Sequence, residues 1–294
     1  MMKALMLATD LSNRSDRALR RAARLVRQFD CPWFIIHVVD EDQPQLRVEL
    51  EVEQVRRYLM EQLDFFTELA GRAPEIWVEV GDPAKHIADC TRFADVDLLV
   101  VGSHRKNPLR DVFVGTTLER LVRTSHVPVL LVNQAAEADY KAPLLALDCS
   151  RASAQAVRAA HALGLLTEGS AKALHAFDPL GGAMLLAAGA GAGAIPGDYA
   201  AAERRRAVEA LDEFLLCEEL GTFIDQRLIE EGQPMTALRR VVERDAIDLL
   251  VMGTRGLTGM KRLLIGSVAD AALRELGCDI LTVPPIHWPS SGQD

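Results

Sequence analysis

The chain has 294 residues, enough at roughly 150 per domain for two units that each bury a core. Its 33 basic and 42 acidic residues leave a net charge of −9, which excludes a general nucleic-acid binder, since that needs a basic face to displace counterions. Hydrophobic residues at 49% and charged ones at 26% exclude a disordered chain, and no apolar run is long enough to span a bilayer or, near Met1, to serve as a signal peptide.

In chain order, Leu5–Thr9 is an apolar run of strand length, and Ser12 or Ser15 can cap a helix whose Leu19, Ala22, Ala23 and Val26 share one face. Trp33–Val39 is a second strand, nearly all apolar, as strands covered on both faces are. Val48, Val52, Val55, Leu59, Leu63 and Phe66 fit a long amphipathic helix. Ile76–Val80 is a third strand; Asp82 then caps a helix with Pro83 in its first position. Asp97–Val101 is a fourth strand, Thr116–Thr124 a helix and Val127–Val132 a fifth strand. Asn133 to Pro143 reads as an inter-domain linker, dividing the chain into domains at 1–134 and 142–285. Strands recur near 144–147, 171–177, 222–229, 248–252 and 279–283, and a loose tail follows Pro284.

The recurrence is an internal duplication. A shift of 138 carries Ala8-Thr9-Asp10-Leu11-Ser12 onto Ala146-Leu147-Asp148-Cys149-Ser150 and His37-Val38-Val39-Asp40 onto His175-Ala176-Phe177-Asp178. Further on, a shift of 151 carries Asp97–Gly102 onto Asp248–Gly253 and Gly115-Thr116 onto Gly266-Ser267. Strands alternating with helices in each copy predict an α/β fold: two tandem open parallel sheets of five strands, wrapped by helices on both faces. Strand five of each copy is apolar and is expected to pair across domains or subunits, within the chain or in a homodimer, because a bare edge invites aggregation.

Ligands of such sheets bind beyond the carboxyl ends of the strands, where strand order reverses. The loop after strand four of the second copy, Gly253-Thr254-Arg255-Gly256-Leu257-Thr258-Gly259 and on to Gly266-Ser267, holds glycines that allow close backbone approach. Arg255, Lys261 and Arg262 supply charge, and Ser267 can cap a helix whose amino end attracts an anion. A tight turn with a plain cap explains the same residues without a ligand. No Gly-x4-Gly-Lys-Ser/Thr occurs, which disfavours a P-loop motor or kinase.

Gly253-x2-Gly256-x9-Gly266-Ser267 is similar to the ATP-binding signature of the universal stress protein family, G-x2-G-x9-G-S/T. The likeness extends to both strand-one ends and both strand-two ends, and so covers nearly the whole chain twice: it resembles a tandem universal stress protein with strand order 3-2-1-4-5 in each copy. That resemblance implies ATP, with magnesium as a companion, in the second domain. Asp148 and Ala176 would lie beside adenine and ribose, with Met252 and Gly253 as the floor. Gly256, Gly259, Gly266, Ser267 and Val268 would line the ribose and phosphate side. For Asp148 the plainer role is a strand-end cap of the following helix. The role implied is regulatory rather than catalytic, with no catalytic residue nominated; a slow ATPase and a nucleotide-free interaction protein are the alternatives.

The first copy keeps the spacing but departs in content. Arg105 stands where Gly256 does and Pro108 where Gly259 does, which predicts an altered first site around Asp10, Val38, Gly102, Arg105, Gly115 and Thr116. The Gly/Ala tract 181–197 contains Gly189-x-Gly191-x-x-Ala194, a formal dinucleotide fingerprint, but Pro196 follows instead of a helix; a loop beside the adenine side, serving as a lid, is the better expectation. His37 and His175 end matching strands and are expected to be packed and hydrogen-bonded. Arg20, Arg21 and Arg204–Arg206 are expected on solvated helix faces. The five cysteines, Cys31, Cys90, Cys149, Cys217 and Cys278, show no Cys-x-x-Cys, which argues against a disulfide framework or zinc knuckle and for the reducing cytoplasm; no metal ligands cluster.

Overall fold

The structure is a computed structural model that describes residues 2–12, 15–64, 72–103, 117–178, 197–255 and 265–285. In the first half run β1 (Leu5–Ala8), α1 (Ser15–Phe29), β2 (Trp33–Val39), α2 (Gln45–Asp64), β3 (Glu75–Val80), α3 (Pro83–Phe93), β4 (Leu98–Gly102), α4 (Thr117–Thr124) and β5 (Val129–Val132). The second half repeats them as β6 (Pro143–Ala146), α5 (Arg151–Ala162), β7 (Ala171–Phe177), α6 (Gly197–Cys217), β8 (Ile224–Glu231), α7 (Pro234–Arg244), β9 (Leu249–Gly253), α8 (Ser267–Glu275) and β10 (Asp279–Val283). Phe66 of the expected long helix, Thr116, and residues 181–196 of the Gly/Ala tract lie outside the described residues; Gly197, its last residue, begins α6.

Within each half the strands are parallel and ordered 3-2-1-4-5, but the two expected sheets are one. Antiparallel pairing of β5 with β10, Leu130 opposite Leu281, joins them into a ten-stranded sheet in the order β3-β2-β1-β4-β5-β10-β9-β6-β7-β8. An apolar edge strand gains a full ladder this way and buries both of its faces. Strand alternation then splits the core. Leu5, Leu7, Leu98, Val100, Leu249 and Val251 face α1, α2, α5 and α6, while Met6, Leu99, Val101, Leu250 and Met252 face α3, α4, α7 and α8.

Local chemistry sets the element ends. Asp82 caps α3 by accepting from the Lys85 N–H at 2.9 Å, with Pro83 in the first helical turn. Gly81 and Gly232 hold φ of +134° and +120° after the equivalent strands β3 and β8, a region that glycine enters freely. Asp248 receives the N–H groups of Lys141 and Ala142 and so fixes the start of β6; Asp97 receives the Lys3 N–H in the same way before β1.

The expected inter-domain linker after β5 is tied down, because the Asn133 and Gln134 N–H groups and the Tyr140 hydroxyl all bind the carboxylate of Asp279. Arg21 does not face solvent. It is 3% exposed, its Nε donates to Asp279 at 3.2 Å, and its guanidinium lies 4.2 Å above the Tyr140 ring. Arg20 and Arg204–Arg206 are exposed.

Candidate functional site

Strand order reverses between β6 and β9, and a cleft of about 360 Å³ opens there at the carboxyl ends of β6, β7 and β9. Four separated segments meet in its wall: Asp148 beyond β6, Ala176 on β7, Met252 and Gly253 at the end of β9, and Gly266, Ser267 and Val268 at the start of α8. These are seven of the nine residues named from the sequence for the second half. The other two, Gly256 and Gly259, lie outside the described residues.

The turn after β6 shows how the chain presents Asp148. Its Oδ1 accepts the Ser150 N–H at 3.1 Å, so it does brace the turn into α5. The capping of the helix proper falls to Ser150, whose hydroxyl accepts from the Ser153 N–H. Cys149 between them holds φ +61°, and Leu11 at the equivalent first-half position holds +59°. A non-glycine residue in this region stores strain of order 1–3 kcal/mol, and such strain gathers where a chain must aim a side chain. His175 adds a strut. Its Nδ1 lies 2.8 Å from the carbonyl oxygen of Leu147, which can only accept, so Nδ1 carries the proton and the ring pins the residue before Asp148. His37 repeats the bond to Thr9 at 2.9 Å.

Gly253 has a packing reason of its own. An added Cβ would stand 3.0 Å from the carbonyl oxygen of Ala152 in the first turn of α5, so the bare backbone lets helix and strand end meet beside the cleft. Ser267 corrects the sequence reading, in which it capped the helix. The capping position belongs to Gly266, which has no side chain to offer, and Ser267 is the first helical residue, with its side chain exposed at the cleft. Among the described residues the amino end of α8 therefore has no side-chain cap, and a helix end of this kind, with its positive dipole, suits an anion. The Gly266 N–H donates to the Thr254 carbonyl at 2.9 Å, closing the two ends of the glycine loop on each other.

Part of the lining was missed from the sequence. Pro234 and Leu238 of α7 line the same cleft, together with the apolar residues Leu174, Ala176 and Met252. The signal was available, since Pro234 and Leu238 are the duplicates of Pro83 and Ile87, but no motif marks them. Arg255 also lines the cleft. Chemically, the arrangement offers apolar lining, a carboxylate able to accept hydroxyl donors, and an amino-terminal helix end with an arginine in the same cleft.

The first half has a smaller cleft of about 190 Å³, lined by Asp10, Val38, Gly102, His37, Ile87 and Thr117 among others. Asp10 is engaged there by the Ser12 N–H at 3.0 Å and the Ser15 hydroxyl at 2.5 Å. Burial pushes its pKa up, but the bonds from Ser15 and Ser12 outweigh that and hold it below the usual carboxylate value. Arg120 adds a fork to Asp82 at 2.6 and 2.9 Å, tying α4 to the start of α3 beside this cleft; the equivalent second-half positions are Ala271 and Gln233. Arg105, Gly115 and Thr116 lie outside the described residues.

Comparison with known proteins follows this geometry. The family model described as the universal stress protein family matches residues 1–133 and again 139–284. A universal stress protein of Mycolicibacterium smegmatis is 26% identical over 305 residues, covering 96% of this chain and 97% of that protein. A universal stress protein of Methanocaldococcus jannaschii is 38% identical over 68 residues, a match that spans 23% of this chain and 39% of that relative's length. Among solved structures, a universal stress protein of Archaeoglobus fulgidus superimposes with a TM-score of 0.65 at 17% identity, covering 96% of this chain and 98% of its own, a likeness of fold. With both halves matched along almost their full length, the chain belongs to the universal stress protein family.

Proposed function

We propose that the second half, taken as a domain over 142–285, binds an adenine nucleotide, ATP foremost, and that the protein acts as a nucleotide-responsive regulator rather than a catalyst. One observation carries this reading: seven residues from four distant segments line a single cleft, at the sheet's switch point, together with apolar side chains and a helix amino end. The apolar lining of Leu174, Ala176, Leu238 and Met252 suits a base. Asp148 suits the ribose hydroxyls, and Ser267, Val268 and Arg255 suit phosphate. Gly256 and Gly259 belong to the same proposed site by their place in the motif.

Magnesium, the companion implied for the triphosphate, would be held by the phosphate oxygens. The first half, taken as 1–134, is proposed as an altered site that does not take the triphosphate. Its cleft has about half the volume, and Arg105 and Pro108 replace two loop glycines. The five scattered cysteines, without a Cys-x-x-Cys, suit the cytoplasmic setting we propose; among the described residues no helix is long and apolar enough to cross a membrane.

Mass spectrometry of the small molecule released when the purified protein is heat-denatured tests the reading. An adenine nucleotide near one equivalent per chain supports it, and an Asp148→Ala variant should carry much less. Protein that carries none and does not bind added ATP favours the interaction-protein alternative. Phosphate release that stops in an Asp148→Ala variant still able to bind ATP favours the slow ATPase.

A further inference from the structure

The seam between the halves poses a question of partner choice. The 151-residue shift carries Val129-Leu130-Leu131-Val132 onto Ile280-Leu281-Thr282-Val283, so β5 and β10 are near copies and both are wholly buried. By ladder alone, β10 could pair with β10 of a second chain, Leu281 opposite Leu281, as well as it pairs with β5. A self-similar apolar edge specifies its partner weakly. The surface pair Arg274–Glu119, between α8 and α4, does not choose either, because Arg123 and Asp270 stand at the equivalent positions.

We infer that Asp279 is the residue that makes this pairing exclusive to the two halves of one chain, acting as a one-sided key that a second copy cannot fit. Its carboxylate is fully buried and takes four donors: Arg21 Nε from α1, the Tyr140 hydroxyl at 2.6 Å, and the Asn133 and Gln134 N–H groups at 2.8 and 2.9 Å. Arg21 further donates to the Ala138 carbonyl at 2.8 Å, and the Asn133 side chain donates to the Cys278 carbonyl at 2.8 Å. First half, connecting segment and second half thus close one ring of bonds.

The duplication shows why no other pairing can close it. The residues following β10 that correspond to Asn133 and Gln134 are Pro284 and Pro285, which have no N–H. In a β10–β10 pair, each buried Asp279 would therefore face prolines instead of two donors, with no Arg21 beside it. In a β5–β5 pair, Pro128 stands where Asp279 does, so the buried Arg21 and both N–H groups lose their acceptor. A buried charge stripped of its partners is strongly disfavoured. Exchange of whole halves between two chains fares no better. Asn133 and Tyr140 bound a short segment that grips the same carboxylate at both ends, which keeps the second half folded back on the first.

The test is native mass spectrometry of the full chain at micromolar concentration, with two differently tagged copies co-expressed and carried through purification. Wild type is expected to be monomeric, with no mixed-tag species. Asp279→Asn is close in shape but cannot pair Arg21, and it should raise dimer formation at least tenfold and produce mixed-tag dimers. Tyr140→Phe removes one donor with almost no change of volume; it should shift in the same direction by a smaller factor, and it decides the matter if Asp279→Asn does not fold. Mixed-tag wild-type dimers, or a folded variant as monomeric as wild type, overturn the inference.

Discussion

Gly253→Ala tests the coupling between the sheet end and the proposed nucleotide cleft. The new methyl would meet the Ala152 carbonyl oxygen at 3.0 Å, its carbon at 3.1 Å and its Cβ at 3.2 Å. Two of these are backbone atoms in the first turn of α5, which Ser150 caps, so relief requires moving the helix rather than turning a side chain. Overpacking of this kind costs about 1–3 kcal/mol. The stiffer unfolded chain returns roughly 0.4–1 kcal/mol, leaving a net loss of about 1–2 kcal/mol. The midpoint of thermal unfolding should then fall by roughly 2–4 °C for each kcal/mol lost. Because Ala152 follows Asp148 by only four residues, the shift should also weaken ATP binding, by about tenfold if it is worth 1.4 kcal/mol at the ligand. Gly221→Ala is the control: nothing lies within 4 Å of its added Cβ, and it should stay within about 0.5 kcal/mol of wild type. Urea unfolding and ATP titration read both effects. A Gly253→Ala protein with wild-type stability and affinity would refute the packing argument.

Further predictions concern individual groups. Hydrogen bonds from Arg244 and Lys172 hold the Asp245 carboxyl at about 2, below its ordinary 3.8. A depressed carboxylate stabilises the fold above its unfolded pKa and loses that contribution as pH falls, so the loss should run from about pH 4 toward 2. Discounted for the half-exposed Arg244, it amounts to about 1 kcal/mol, and Asp245→Asn should flatten that acid limb in urea titrations; an unchanged limb counts against the pairing. Burial pushes the thiols of Cys90 and Cys149 up to about 11 and Cys278 up to about 12, and it raises Cys31 as well, whereas Cys217 is exposed. A thiol reagent at neutral pH should modify Cys217 quickly, the half-buried Cys90 and Cys149 slowly, and the buried Cys31 and Cys278 only on unfolding; two fast groups would contradict this. Ser150→Ala should cost about 1 kcal/mol through loss of the α5 cap, measured by thermal unfolding, and no change would mean the cap is replaceable.

Much of the fold could be read from the duplication, because two copies with the same alternation of strand and helix constrain each other. The Trp33–Val39 and Asp279–Val283 strands appear with the boundaries their apolar runs implied. Joining of the sheets was only half visible: strand five was plainly an edge needing a partner, but an apolar run does not name which one. The Asp279 ring was missed because Arg21 sits in a charged helical stretch, and helical periodicity cannot tell a buried arginine from a solvated one without its counter-ion. The signal was the aspartate itself, the one charged residue in a strand that is otherwise uncharged and wholly buried. Ser267 was misassigned because serine is a good cap, and Gly266 takes that place through backbone conformation alone. The motif residues announced themselves by spacing, whereas Pro234 and Leu238 contribute only shape to the cleft.

Nucleotide binding by the second half alone is tested most directly by its stoichiometry and location. Calorimetric titration of the ligand-free full chain with ATP should give one site per chain. That site should disappear in Gly256→Arg, which copies the first half's residue into the second, and persist in Arg105→Ala. Two sites, no site, or a Gly256→Arg protein that binds as well as wild type would contradict it.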